Sequence, residues 1–348
     1  MACSKLVAYG AAAACALGVH AASAAVVRVP SDFATIQEAV DAAAPGDHVQ
    51  VGPGAYCGAT ITKRVVLRGF GHPVVTGCES GPVFTSGARV GFFLPGTAAG
   101  GNPASGTQIH GFVFDGRGVS NTNLNPIAFG IFGRFANDVY VANNHFLGTA
   151  QAVTNTAGDR WFIWSNRISN LTLFGCPGLC TGGDGIVIQS SGTALAGPGG
   201  PGAPLNRPEQ NVVVGNTISG TPPNGFDIFG MAGILVFTAD RTLVSHNQIA
   251  ISDNPDAEAP AQGVLVSNTC CGNVTPALPG SRNTVVVFND ARRSQFGFVV
   301  EGSGGQNTEG LVLLHNRGSV TIEAPLPLMA AAEGPALFAL PLMKQRYF

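Results

Sequence analysis

Gln151 and Asp184 are the two polar residues of this chain best placed to act together. An amide beside a carboxylate can orient it or hold its proton, which a carboxylate working as nucleophile or as general acid/base requires. Asp227 is a third candidate for the same chemistry, so the catalytic candidates are Gln151, Asp184 and Asp227. Trp161 and Trp164 offer flat apolar rings of the kind that stack on a sugar, and Arg134 and Arg160 offer positive charge to an acidic ligand. These four are the candidate substrate-binding residues. Neutralising a uronate carboxylate takes either guanidinium groups or Ca2+ held by several oxygens. Asp253-Asn-Pro-Asp256 has the composition of a turn rather than of a calcium loop, so no metal and no cofactor is assigned. An ordinary reading stands beside each assignment. Gln151 and Asp184 can be turn residues satisfying backbone groups, the tryptophans can pack beneath a loop, and Asp240-Arg241 can be a solvated ion pair at a turn.

The pairing of Gln151 with Asp184 depends on a repeat. With Asn247 as reference, Val244 lies three residues before it and Ile249 two after. The same frame holds Val141-Asn144-Phe146, Ile163-Asn166-Ile168, Val213-Asn216-Ile218, Val286-Asn289-Ala291 and Leu313-Asn316-Gly318. Ile109-Phe112-Phe114 and Leu67-Phe70-His72 fit without the Asn, which makes about eight coils. Asn suits a turn that requires left-handed backbone and can bond its own kind on the next coil, so the six Asn are expected to form a structural ladder. The histidines beside it, His246 and His315, are expected to serve the same turns.

A second landmark is Gly130, Ala152, Gly185, Gly233, Gly263 and Gly297. Counting from it aligns Phe129, Gln151, Asp184, Ala232, Gln262 and Phe296 in one column, which sets Gln151 and Asp184 on adjacent coils about 4.8 Å apart. The next columns alternate. Ile131, Val153, Ile186, Ile234, Val264 and Phe298 should face inward, and Phe132, Thr154, Val187, Leu235, Leu265 and Val299 outward. That outward column is apolar, so a loop or the tail should cover it, or it is a contact surface.

Charged residues make up 11% of the chain and the formal net charge is −2. No Lys/Arg cluster is present, which argues against a nucleic-acid partner. Lys5, the apolar run Leu6 to Val19 and Ala22-Ser23-Ala24 fit an export signal over 1–24, leaving no stable membrane span in the mature chain. Six cysteines then remain: Cys57, Cys78, Cys176, Cys180, Cys270 and Cys271. In an oxidising compartment they read as disulfides, with Cys57–Cys78 a plausible staple and the other pairings open; their spacing suits zinc poorly. Ser31 or Asp32 is expected to cap a short amphipathic helix with Ile36, Ala39, Val40 and Ala43 on one face, ended by Pro45-Gly46 and lying over the open end of the stack.

Asp32-Phe-Ala-Thr-Ile-Gln-Glu-Ala-Val-Asp-Ala-Ala-Ala-Pro-Gly-Asp-His-Val-Gln-Val-Gly-Pro-Gly-Ala-Tyr56, followed by Arg64-Val-Val-Leu-Arg-Gly-Phe-Gly71, resembles the opening of pectin-lyase-like right-handed β-helix proteins. The resemblance implies an all-β, single-stranded right-handed parallel β-helix with an N-terminal capping helix over 25–323; the apolar composition of 324–348 suits a tail expected to pack on it. Gln151-Ala-Val-Thr-Asn-Thr-Ala-Gly-Asp-Arg160 is similar to a stretch of pectin methylesterases in which a Gln helps form the oxyanion site. Gly225-Phe-Asp-Ile-Phe-Gly230 is similar to that family's motif bearing a catalytic Asp, with Phe226 and Asp227 in reversed order. The family's Gln-Asp pair has no counterpart in Asn170-Leu-Thr-Leu-Phe-Gly175.

Two classes of function follow. One is an exported protein that binds or processes polysaccharide, with lyase, epimerase or divergent esterase chemistry as its enzymatic form. The other is a non-catalytic structural or surface module.

Overall fold

The computed structural model describes residues 24–84, 86–120, 123, 125–172, 183–191, 205–222, 230–255, 260–268, 280–301 and 308–322. Residues 1–23 and the tail from 323, where the export signal and the C-terminal packing were expected, lie outside them, as do Asp227 and four cysteines, Cys176, Cys180, Cys270 and Cys271.

Within the described residues the strands make three parallel sheets. Each full coil contributes one strand to each sheet, as Leu243–Ser245, Gln248–Ile251 and Ala261–Ser267 do in one coil. The first sheet has ten strands, from Val26–Val29 to Val312–Leu314; the second has seven, from Ala55–Cys57 to Gln248–Ile251; the third has nine, from Ala59–Thr60 to Val320–Ile322. This is a parallel β-helix.

The interior follows from period two within each strand. Leu67, Ile109, Val141, Ile163, Val213, Val244, Val286 and Leu313 stand in register along the first sheet. Phe114, Phe146, Ile168, Ile218 and Ile249 do the same along the second. Ile131, Val153, Ile186, Ile234, Val264 and Phe298 line the third. Nearly all belong to one continuous buried cluster. Each fully buried Val, Ile, Leu or Phe contributes about 1.5–3 kcal/mol of transfer free energy, so the stack is held chiefly by these columns.

The Asn ladder is present, with one correction. Asn144 N donates to Asn166 Oδ1, Asn166 N to Asn216 Oδ1, Asn216 N to Asn247 Oδ1, Asn247 N to Asn289 Oδ1 and Asn289 N to Asn316 Oδ1, all at 2.9–3.1 Å. The left-handed residue is not the Asn but the one before it: Asn143, Ser165, Gly215, His246, Phe288 and His315 have φ of 53–65°. The ladder Asn stays inside, and its neighbour turns the corner.

The coil at Leu67 departs from the expected frame. Val75, not His72, is in register with Phe114, because Phe70 and His72 lie on an extra turn at the surface, with Phe70 exposed and His72 at φ 59°. The helix spans Ile36–Ala42, and its N-cap is Thr35 rather than Ser31 or Asp32. Thr35 Oγ1 accepts from Glu38 N at 3.1 Å and Glu38 Oε2 accepts from Thr35 N at 3.0 Å, a reciprocal capping box. Ile36, Ala39 and Val40 are buried in the core. Cys57 and Cys78 form a disulfide.

Candidate functional site

Gln151 and Asp184 are register partners on adjacent coils, between Phe129 on one side and Ala232 on the other. Both are buried. Gln151 Oε1 accepts a hydrogen bond from Thr154 Oγ1 at 2.6 Å, and Asp184 Oδ1 accepts one from Ala232 N at 3.2 Å. Burial pushes the Asp184 carboxyl up to about 7, partly opposed by the Ala232 bond. A carboxyl titrating near neutrality can give or take a proton. Among the described residues no second carboxylate stands beside it to serve as the other half of an esterase pair.

The tryptophans divide. Trp161, a candidate for stacking on a sugar and so for an exposed position, is 1% exposed, and its Nε1 donates to Ala136 O at 2.6 Å. The reason is parity: Trp161 is two residues from inward Ile163 and shares its face, whereas Trp164 is one residue away and points out. The indole fills space that a side chain at Gly133 would occupy, since a Cβ there would come within 2.6 Å of its ring. Trp161 therefore cannot stack on a ligand. Trp164 is 42% exposed, and its ring reaches the next coil, where a Cβ at Gly215 would stand 3.4 Å from it.

Trp164 belongs to a surface that sequence reasoning overlooked. The outward residues of the first sheet form two columns: Tyr140, Phe162, Val212, Leu243, Val285 and Val312, then Trp164, Val214, Ser245, Val287 and Leu314. Except for the buried Ser245 these are half-buried or exposed. Tyr140 and Phe162 stack 5.5 Å apart, almost parallel. Along the corner beside this face the rings of His246, Phe288 and His315 stack at 5.1 and 5.0 Å, with Phe288 51% exposed. The alternation that revealed the inner columns contained this outer one as well.

The arginines also differ. Arg160 bonds Asp138 through two nitrogens at 2.7 and 2.9 Å, and Arg241 is paired with Glu209 and with Asp240. Both are exposed ion pairs at turns, each worth at most about 1 kcal/mol. Arg134 has no such partner among the described residues. Its guanidinium carbon lies 5.4, 5.9 and 5.4 Å from the ring centres of Phe84, Phe93 and Phe132, and its buried Nε has no hydrogen-bond acceptor among the described residues. Burial holds its pKa below the ordinary arginine value. Phe84 also meets Phe93, Phe129 and Phe132, so at this end the apolar outward column of the third sheet is covered by the chain's own Phe84 segment. Farther along, Val187 and Val299 are buried, while Leu235 and Leu265 are half-buried.

A depression of about 490 Å3 on the second sheet is lined by Thr76, Gly77, Asp115, Arg117, Asn125 and Pro126, none of them predicted. Arg117 bonds the Asp115 carboxylate through Nε at 2.9 Å and Nη2 at 2.6 Å, which holds Asp115 below its usual pKa and leaves the pair occupied with itself. Among the described residues no group of three His, Cys, Asp or Glu is placed to hold a metal ion, and no helix is long and apolar enough to cross a membrane.

No protein-family model and no curated protein matches the chain. Solved structures do. An alginate lyase from Paenibacillus sp. str. FPU-7 aligns at 14% identity with a TM-score of 0.44, covering 86% of this chain and 99% of its own. PfbA, a surface adhesin of Streptococcus pneumoniae, aligns at 12% identity with a TM-score of 0.45, covering 90% and 97%. DFA-IIIase from Arthrobacter chlorophenolicus A6 aligns at 14% identity with a TM-score of 0.40, covering 81% and 82%. Likeness at this level carries no residue role into the present chain.

Proposed function

We propose that this chain is an exported β-helix protein that binds polysaccharide along the outward face of its first sheet. The observation that carries the reading is the exposed Trp164 on a flat, continuous face that also holds the stacked Tyr140–Phe162 pair. A parallel β-helix offers a straight surface with one coil every ~4.8 Å, to which an extended sugar chain can lie parallel. Indole and phenol rings suit the C–H face of a pyranose. The Cys57–Cys78 disulfide supports an oxidising, extracytoplasmic location and, with it, the export signal over 1–24.

The finer architecture belongs to the same proposal. The helix is right-handed, as parallel crossovers nearly always are. It has about eight coils, the Ile36–Ala42 helix caps its N-terminal end, and the apolar tail 324–348 packs on the body. Binding is preferred to catalysis because the described residues bring together Gln151 and Asp184 only, both buried and in separate hydrogen bonds.

The second reading is a surface module for a protein partner, favoured by the aliphatic column Val212, Leu243, Val285 and Val312 on the same face. A panel of uronate and neutral polysaccharides, measured for binding, unsaturated product and released methanol, separates these readings. Binding without turnover that is lost in Trp164→Ala supports the first. Turnover lost in Asp184→Asn supports an enzyme, and no binding to any glycan leaves the module.

A further inference from the structure

We infer that Arg134 is the centre of a separate anion-binding site, on the third sheet, that takes the carboxylate of an acidic sugar. The inference rests on polysaccharide being the ligand and adds its charge. Arg134 ends the strand Ile127–Arg134, and its register partners on the next two coils are Thr156 and then Gln189. Three phenyl rings surround the guanidinium at 5.4–5.9 Å, its Nε is buried without an acceptor, and no ion pair or side-chain hydrogen bond reaches it among the described residues. Arg117, Arg160, Arg241, Arg282 and Arg292 each have a carboxylate within 4 Å.

Rings attract a cation, but they do not accept its N–H bonds in the plane of the fork, where a carboxylate fits through two parallel hydrogen bonds. The same rings help to shield Nε from water while the residue as a whole stays half-buried, and this partial desolvation strengthens an ion pair formed there. The neighbouring column adds donors. Gln189 Nε2 donates to Thr156 Oγ1 at 3.0 Å, which leaves the Thr156 hydroxyl proton free to be given to an acceptor.

The test compares trigalacturonate with its methyl ester by calorimetry, and follows the Arg134 side-chain N–H resonance of the wild-type protein during titration with glucuronate. We expect the acid to bind at least tenfold more tightly than the ester, the preference to vanish in Arg134→Gln, and glucuronate to shift the Arg134 signal. An acid preference that survives Arg134→Gln overturns the site, and so does an Arg134 signal that no carboxylate moves. If neither trisaccharide binds but glucuronate shifts Arg134, the anion site stands and the polysaccharide reading fails. The resonance readout needs no variant, so it remains decisive if Arg134→Gln does not fold.

Discussion

Asn216→Ala puts a number on the ladder. The Asn216 amide is buried in the middle of it, with Oδ1 accepting from Asn166 N at 2.9 Å and from Asn166 Nδ2 at 3.1 Å. Its Nδ2 donates to Ile163 O at 3.0 Å, Val214 O at 3.2 Å and Asn247 Oδ1 at 3.0 Å. Alanine leaves the Asn166 backbone N–H without its acceptor, at a cost of about 1–3 kcal/mol for one buried unsatisfied group. The other lost bonds add about 1 kcal/mol, for a total of roughly 2–4 kcal/mol. Asn316 ends the ladder and is only partly buried, so water can replace what Asn316→Ala removes, and its cost should stay near 1 kcal/mol. A coil stack need not unfold in one step. Urea unfolding should therefore be paired with amide hydrogen exchange, in which Asn216→Ala lowers protection of the Asn166 and Asn144 N–H groups most. Equal losses for the two variants, or unchanged exchange at Asn166, would refute the idea that interior amides carry the ladder.

Trp161→Ala should cost about 3–5 kcal/mol in a denaturant titration, as large aromatic truncations in cores do, and should spare glycan binding at the Trp164 face until the fold fails. For Asp184 the folded pKa, about 7, lies above the unfolded value, so the folded state holds the proton longer. The Asp184 contribution to stability is then greatest below about pH 4 and declines as pH rises towards 7. Asp184→Asn should flatten that decline in thermal melts and exceed the wild type above pH 7, and an unchanged pH profile would count against the assigned burial. Replacing Cys57 and Cys78 by Ser removes a link between residues 21 apart and should lower the unfolding free energy by about 3 kcal/mol, measured against the reduced wild type as control.

The register was legible because interior positions of a parallel stack must repeat. Val244, Asn247 and Ile249 recur at fixed offsets, and the same arithmetic that aligned them set Gln151 opposite Asp184. It failed where a residue leaves the regular path. Leu67 to Val75 carries an extra surface turn, which a fixed offset cannot follow. The left-handed corner was displaced by one residue because Asn is common at both αL positions and in ladders, and only the backbone distinguishes Asn216 from Gly215. The misplaced Trp161 was an error of parity, avoidable from the sequence itself. By contrast, the Arg134 cage joins Phe84, Phe93 and Phe132 from three segments, and no local pattern connects them. Nor could the sequence show that Arg160 is taken up by Asp138, because their contact crosses coils at a turn.

The central claim is that the exposed first-sheet face binds polysaccharide through Trp164. Affinity electrophoresis or calorimetry of the wild type and Trp164→Ala against a panel of soluble uronate and neutral polysaccharides tests it most directly, with Trp161→Phe as a fold control. The account predicts retention by at least one polysaccharide, weakened tenfold or more by Trp164→Ala and little changed by Trp161→Phe. Retention that Trp164→Ala leaves intact, or no retention by any member of the panel, would contradict it.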